Sequence, residues 1–144
     1  MSDKQIMLIE DNPDDRDLTI RALKKHNVLN PVIVASNGAE ALTMLFGDDH
    51  RDQGNPALIL LELKLPKVDG LEVLHRIRAE ERTRVIPVLV LTSSRQEEDL
   101  RAAYDLGANG CVRKPVTFGE FSEVVHTTGL FWLLLNQPPP DPQP

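Results

Sequence analysis

The sequence predicts a doubly wound α/β domain: a five-stranded parallel sheet with helices on both faces. Three observations carry this reading. Five short apolar runs recur along the chain, over residues 5–9, 31–35, 57–61, 87–91 and 110–113. Several are nearly continuous in Ile, Val and Leu, as strands covered on both faces are. Each run is followed by a helical pattern, which is the alternation of a parallel sheet.

The elements follow in order. After "QIMLI", Asn12 and Pro13 supply an N-cap and a first helical residue, and Asp14 and Asp15 lie at the positive end of the dipole. That helix is expected to reach about His26. "PVIVA" is followed by a helix over 38–46. "ALILL" is followed by one from about Leu71, with Leu71, Leu74 and Ile77 spaced three apart. "PVLVL" leads to a capping box, Ser94 to Glu97, and a helix that stops near Gly107. "GCVR" leads to a second such box, Thr117 to Glu120, and a last helix to about Leu135. Right-handed crossovers over five repeats suit the flavodoxin-like strand order 2-1-3-4-5. Residues 1–128 make the domain and 129–136 extend the final helix. The stretch 137–144, "QPPPDPQP", cannot continue a helix and is expected to be an extended tail.

Composition narrows the function. The chain has 144 residues, 41% hydrophobic and 26% charged, which suits one domain with a single core. A net charge of −6 argues against nucleic acid as the main partner, since phosphate binding needs a basic surface. The single Cys111 rules out an internal disulfide and fits a reducing compartment. No apolar run approaches the roughly 20 residues of a membrane span, and the N-terminus lacks a signal-peptide layout. A cytoplasmic protein without nucleic-acid or membrane partners is expected.

In such a sheet the functional crevice lies at the carboxyl ends of the strands. Glu10 and Asp11 follow the first strand, Glu62 the third, Thr92 ends the fourth, and Lys114 follows the fifth. Strands one and three are neighbours in the predicted order, so Glu10, Asp11 and Glu62 should converge. Three close carboxylates need a counter-charge, and oxygen ligands suit Mg²⁺. Lys114 and the Thr92 hydroxyl would then hold a phosphoryl group beside the metal.

These residues resemble the receiver domain of two-component response regulators. The likeness rests on "IMLIEDNPDD", "LILLELKLPKVDG", "VLVLTSS" and "GANGCVRKPV", in that order and spacing, over roughly residues 4–128. It implies that Glu10 and Asp11 bind Mg²⁺ with the backbone carbonyl of Lys64. It implies that Thr92 engages a phosphoryl oxygen and that Lys114 pairs with the phosphate. Position 62 becomes the phosphoacceptor, where the family has an Asp that takes the phosphoryl group from a histidine kinase. The family is a signalling switch rather than a metabolic enzyme. The last third, "FGEFSEVVHTTGLFWLLLNQPP", is similar to single-domain response regulators that partner phytochrome-type kinases.

Two positions depart from the family pattern. Glu62 keeps the charge of the expected Asp but adds one methylene, roughly 1.3 Å of reach. An error near 1 Å in positioning can cost about 100-fold in rate. Normal phosphorylation is therefore expected to be lost or mimicked, and Mg²⁺ binding weak or absent. Mimicry is incomplete in principle, since an acyl phosphate carries nearly two charges and three oxygens. Cys111 stands at the switch position, where the family usually has an aromatic side chain, and is expected to act as a small hydrophobe.

In the final helix, Phe121, Val124, Val125, Thr128, Trp132 and Leu135 share helical spacing and suit the core. That leaves Leu130, Phe131, Leu133 and Leu134 on other sides, and such an excess of apolar surface needs a cover. A homodimer through Phe131, Trp132, Leu133 and Leu134 is expected; a tail folded back on its own domain is the alternative. The four His residues, 26, 50, 75 and 126, have no metal-ligand spacing. Three functions remain open: a receiver in a phytochrome-type phosphorelay, an interaction module independent of phosphorylation, and a metal-dependent phosphotransfer enzyme.

Overall fold

Residues 5–25, 28–47 and 55–114, with Gly119, Glu120, Glu123 and Thr127, are described by a computed structural model. Among the described residues through Lys114, five strands and four helices alternate: β1 (Ile6–Ile9), α1 (Pro13–Lys25), β2 (Val32–Ala35), α2 (Gly38–Phe46), β3 (Leu58–Leu61), α3 (Gly70–Ala79), β4 (Val88–Thr92), α4 (Glu97–Asp105) and β5 (Gly110–Arg113). The strands form one sheet in the order β2-β1-β3-β4-β5, as expected. All four pairings are parallel, with Ile9 opposite both Ala35 and Leu61, and Thr92 opposite Arg113.

The period-two alternation of each strand divides the core. Met7, Ile9, Ile59, Leu61, Val88 and Val90 point to the face covered by α2, α3 and α4. Ile6, Leu8, Leu58, Leu60, Leu89 and Leu91 point to the face carrying α1, where Ala22 and Leu23 pack. The three central strands are buried throughout, whereas β2 and β5 at the edges are half-buried.

Local signals place the helix ends. Asn12 Oδ1 accepts the N–H groups of Asp14 and Asp15 at 2.8 and 3.1 Å, so α1 starts where its cap requires. The α3 stripe lies one step from the expected one. Val73, Leu74 and Ile77 are buried with Gly70, and Leu71 is only half-buried. Gly70 sets this rotation by sitting against the end of β3. A Cβ there would lie 2.4 Å from the Glu62 carbonyl oxygen and 2.5 Å from Leu63 Cα.

The capping box expected at Ser94 is not formed. α4 begins at Glu97 with Gln96 at its N-cap and no side-chain cap. The Ser94 hydroxyl is drawn instead to Gln96 N and Asp99.

Gly119, Glu120, Glu123 and Thr127 are helical and exposed. The rest of the expected final helix, with Phe131, Trp132, Leu133 and Leu134, lies outside the described residues. So do the 137–144 tail, His26, His50 and His126. His75 is exposed on α3. No helix among the described residues is long and apolar enough to cross a membrane.

Candidate functional site

The sheet brings the expected side chains to one end. Glu10 follows β1, and its N–H bonds the Ala35 carbonyl at 3.0 Å. Glu62 follows β3, with its N–H on the Ile9 carbonyl at 3.0 Å. Lys114 follows β5 and bonds through its N–H to the carbonyl of Thr92, the last residue of β4, at 2.7 Å. The ladder thus continues one residue past the strands and fixes the backbone under each functional group. Glu10, Glu62, Thr92 and Lys114 are all buried, at 4%, 3%, 0% and 6% exposure.

Lys114 is the hub. Its Nζ lies 2.7 Å from Glu10 Oε1, 2.8 Å from Asp15 Oδ2 and 3.1 Å from Glu62 Oε1. Its three ammonium hydrogens match three carboxylates. Glu62 is held on all sides. Oε1 accepts the Ser93 N–H at 3.1 Å, Oε2 accepts the Lys64 N–H at 3.1 Å, and the Thr92 hydroxyl bonds the carboxylate. Glu10 Oε2 takes the Asn12 N–H at 3.2 Å.

The two glutamates respond oppositely to this shared environment. Burial dominates at Glu10 and pushes its carboxyl above the usual range, although Lys114 and Asn12 N–H oppose it. Burial is also the largest single influence at Glu62. There the Thr92 hydroxyl, the Lys64 N–H and Lys114 together outweigh it, and the pKa falls below its ordinary value. Burial works against the Lys114 ammonium, but Asp15, Glu10 and Glu62 raise its pKa well above the usual lysine range.

Asp11 does not join the cluster. It is exposed at the start of the loop, and Asp15 from the first turn of α1 takes a place at Lys114 instead. By its place in the sequence, Asp15 is expected only to favour the helix dipole. Its spacing held a signal: Asp15 lies three, four, seven and eight residues before Leu18, Thr19, Ala22 and Leu23. That is the packed face of α1. Cys111 is half-buried against the core on the α2–α4 face, and burial pushes its thiol up despite a contact from the Tyr104 hydroxyl. A low-pKa reactive thiol is not built here.

The residues present do not assemble the metal site expected of Glu10, Asp11 and Glu62. Their oxygen chemistry suits a hard divalent cation. The buried pair, however, converges on an ammonium, and the third carboxylate at that ammonium is Asp15. Among the described residues no group of three or more His, Cys, Asp or Glu side chains is placed to hold a metal ion.

The chain matches the response regulator receiver domain over residues 6–126 and belongs to that family. Rcp1 of Synechocystis sp. is 35% identical over 131 residues, spanning 90% of this chain and 89% of Rcp1. The structure of Rcp1 in its Mn²⁺-bound form aligns at TM-score 0.83 and 33% identity, over 95% of this chain and 99% of that one. The phosphorylated cyanobacterial phytochrome response regulator RcpA aligns at TM-score 0.86 and 34% identity, over 96% and 100%. The bacteriophytochrome response regulator RtBRR is 48% identical at TM-score 0.77, over 96% of this chain and 86% of RtBRR.

Proposed function

We propose that this chain is a single-domain response regulator working with a phytochrome-type sensor histidine kinase. Glu62 holds the phosphoacceptor position, so that normal phosphorylation is lost or mimicked. The observation that carries this reading is the state of Glu62. It is buried and takes up the Lys114 ammonium, the Thr92 hydroxyl and two backbone N–H groups. Those donors are the ones a phosphoryl group at this strand end would need. The longer side chain has already engaged them, leaving neither a free nucleophile nor free donors for transfer.

Thr92 and Lys114 are read as the groups that sense and neutralise negative charge at position 62. As arranged here, Glu10, Asp11, Glu62 and the Lys64 carbonyl do not build the metal site expected of them. Mg²⁺ is expected to bind weakly, because Lys114 already neutralises the buried carboxylates. The phytochrome assignment is supported by the likeness to RcpA and RtBRR over nearly the whole chain. A signalling role without metabolic turnover, and a cytoplasmic location, go with it. A homodimer through Phe131, Trp132, Leu133 and Leu134 is supported by the apolar excess in the sequence of that stretch.

The test is phosphotransfer from a labelled phytochrome-type histidine kinase to the chain and to Glu62→Asp. Label on the Asp form alone supports the reading. Label on both overturns the block at position 62. Label on neither favours an interaction module independent of phosphorylation.

A further inference from the structure

A second group of charges lies at the opposite end of the sheet. In a parallel sheet the crossover helices run back against the strands, so α2 and α3 end near the strand starts. Phe46, the last residue of α2, meets Arg76 and Glu80 from the end of α3 and Arg82 from the turn after it. These four residues line an open cavity of about 440 Å³.

Arg82 is fixed in place before any ligand arrives. Its Nη1 donates to Asn55 Oδ1 at 2.9 Å and its Nη2 to the Leu45 carbonyl. Asn55 Nδ2 returns to the Arg82 carbonyl at 2.6 Å. The Arg82 guanidinium carbon lies 5.9 Å from the centre of the Phe46 ring, and that of Arg76 lies 5.2 Å from it. One ring thus gathers two cations within reach of a single ligand. Covering the last carbonyls of α2 accounts for Arg82 Nη2, and a base near the end of α3 favours its dipole. Neither role requires the two guanidinium groups to share a ring.

The pair also lacks a counter-charge. Among the described residues no carboxylate lies within ion-pair distance of either guanidinium, Glu80 included. In a chain of net charge −6 this makes a local positive site.

We propose that Arg76 and Arg82 form a binding site for the phosphate groups of a small polyanion, with a diphosphate as the chemistry it fits. A guanidinium fork takes two oxygens of a phosphate at once. Two forks over one ring suit two adjacent phosphate groups, and the cavity has room for an organic part of nucleotide size. Glu80 lines the same space and holds the affinity for an anion down. The site lies away from the strand ends that carry Glu62 and Lys114, and it does not depend on the reading of position 62.

The test is a titration of the full chain with pyrophosphate and with inorganic phosphate at constant ionic strength, following the arginine Nε–H groups by NMR. Pyrophosphate is expected to shift the Arg76 and Arg82 signals saturably and to leave the exposed Arg101 unmoved. Arg76→Gln should weaken binding about tenfold, and Arg76→Lys, which keeps the charge without the fork, about threefold. Glu80→Gln should tighten it about threefold. Arg76 and Glu80 are both exposed, so unchanged thermal midpoints are expected for these variants. Shifts that do not saturate, or that Arg101 shares, overturn the site, as does unchanged affinity in Arg76→Gln. Inorganic phosphate binding as tightly as pyrophosphate overturns the fit to a diphosphate. Signals that move when Asp48, Asp49 and Asp52 are replaced together by Asn, but not with pyrophosphate, assign the pair to the chain's own acids and overturn the proposal.

Discussion

Lys114 Nζ stands 3.1 Å from Glu62 Oε1, although the two residues follow strands separated by β4 in the sheet. This contact spans the carboxyl edge of the sheet and places a cation against a buried carboxylate. The Glu62 carboxylate thus sits in a ready-made anion site. A shorter acid should empty it: Glu62→Asp draws the carboxylate back by roughly 1.3 Å. The expected outcome is gain of label from a phytochrome-type kinase and tighter Mg²⁺ binding, read by phosphotransfer and by titration calorimetry.

Lys114 neutralises buried acids, so its loss should cost far more than a surface charge. Lys114→Met leaves Glu10 and Glu62 buried without their cation, and breaking such a pairing typically costs about 3–5 kcal/mol. Asp15→Asn touches a side chain that is 34% exposed, and should cost about 1 kcal/mol or less. Urea unfolding of the two variants gives both numbers. Equal losses would contradict a hub centred on the buried glutamates.

The opposite shifts of the two glutamates predict a bend in stability against pH. At Glu62 the folded pKa lies below its ordinary 4.5. Its stabilisation is present above that value and is lost as pH falls through the folded pKa. At Glu10 the folded pKa lies above 4.5, so protonation favours the folded state. Its contribution grows as pH falls through the raised pKa and is complete below 4.5. Glu10→Gln should remove the rise on the upper side while leaving the acid loss due to Glu62. Urea midpoints measured across acidic to neutral pH check this.

Gly70 lets the β3–α3 turn approach the end of β3. Gly70→Ala would drive a Cβ into the Glu62 carbonyl and Leu63 Cα, both backbone atoms that cannot swing away. A loss of about 1–3 kcal/mol is expected from such overpacking. Thermal unfolding measures it, and a neutral effect would show that the turn relaxes more freely than this geometry allows.

The dimer reading makes a separate demand on the sequence around Phe131 and Trp132. Charged substitutions at Phe131 and Trp132 should convert a dimer to a monomer while leaving the sheet intact. Sedimentation with circular dichroism reads both properties. A parent chain that is monomeric at high concentration would remove the dimer from the proposal.

Much of this protein was legible in one dimension. Apolar runs of strand length, with helix start signals between them, determined the element order. Chain connectivity and handedness then left few arrangements besides β2-β1-β3-β4-β5. That order alone was enough to bring Glu10, Glu62, Thr92 and Lys114 to one edge, since each follows or ends a strand. The third partner of Lys114 was decided only in three dimensions. Asp11 and Asp15 are both acids near the same helix start, and the packing of α1 turns Asp15 toward Lys114, while Asp11, in the loop before the helix, lies in solvent. Likewise Ser94 carried the spacing of a capping box, but Asp99, brought over it by α4, competes for its hydroxyl. Periodicity records which face of a segment is apolar. Which of two equivalent polar groups reaches a buried partner depends on packing angles and on competition for hydrogen bonds, and those exist only once the elements have met.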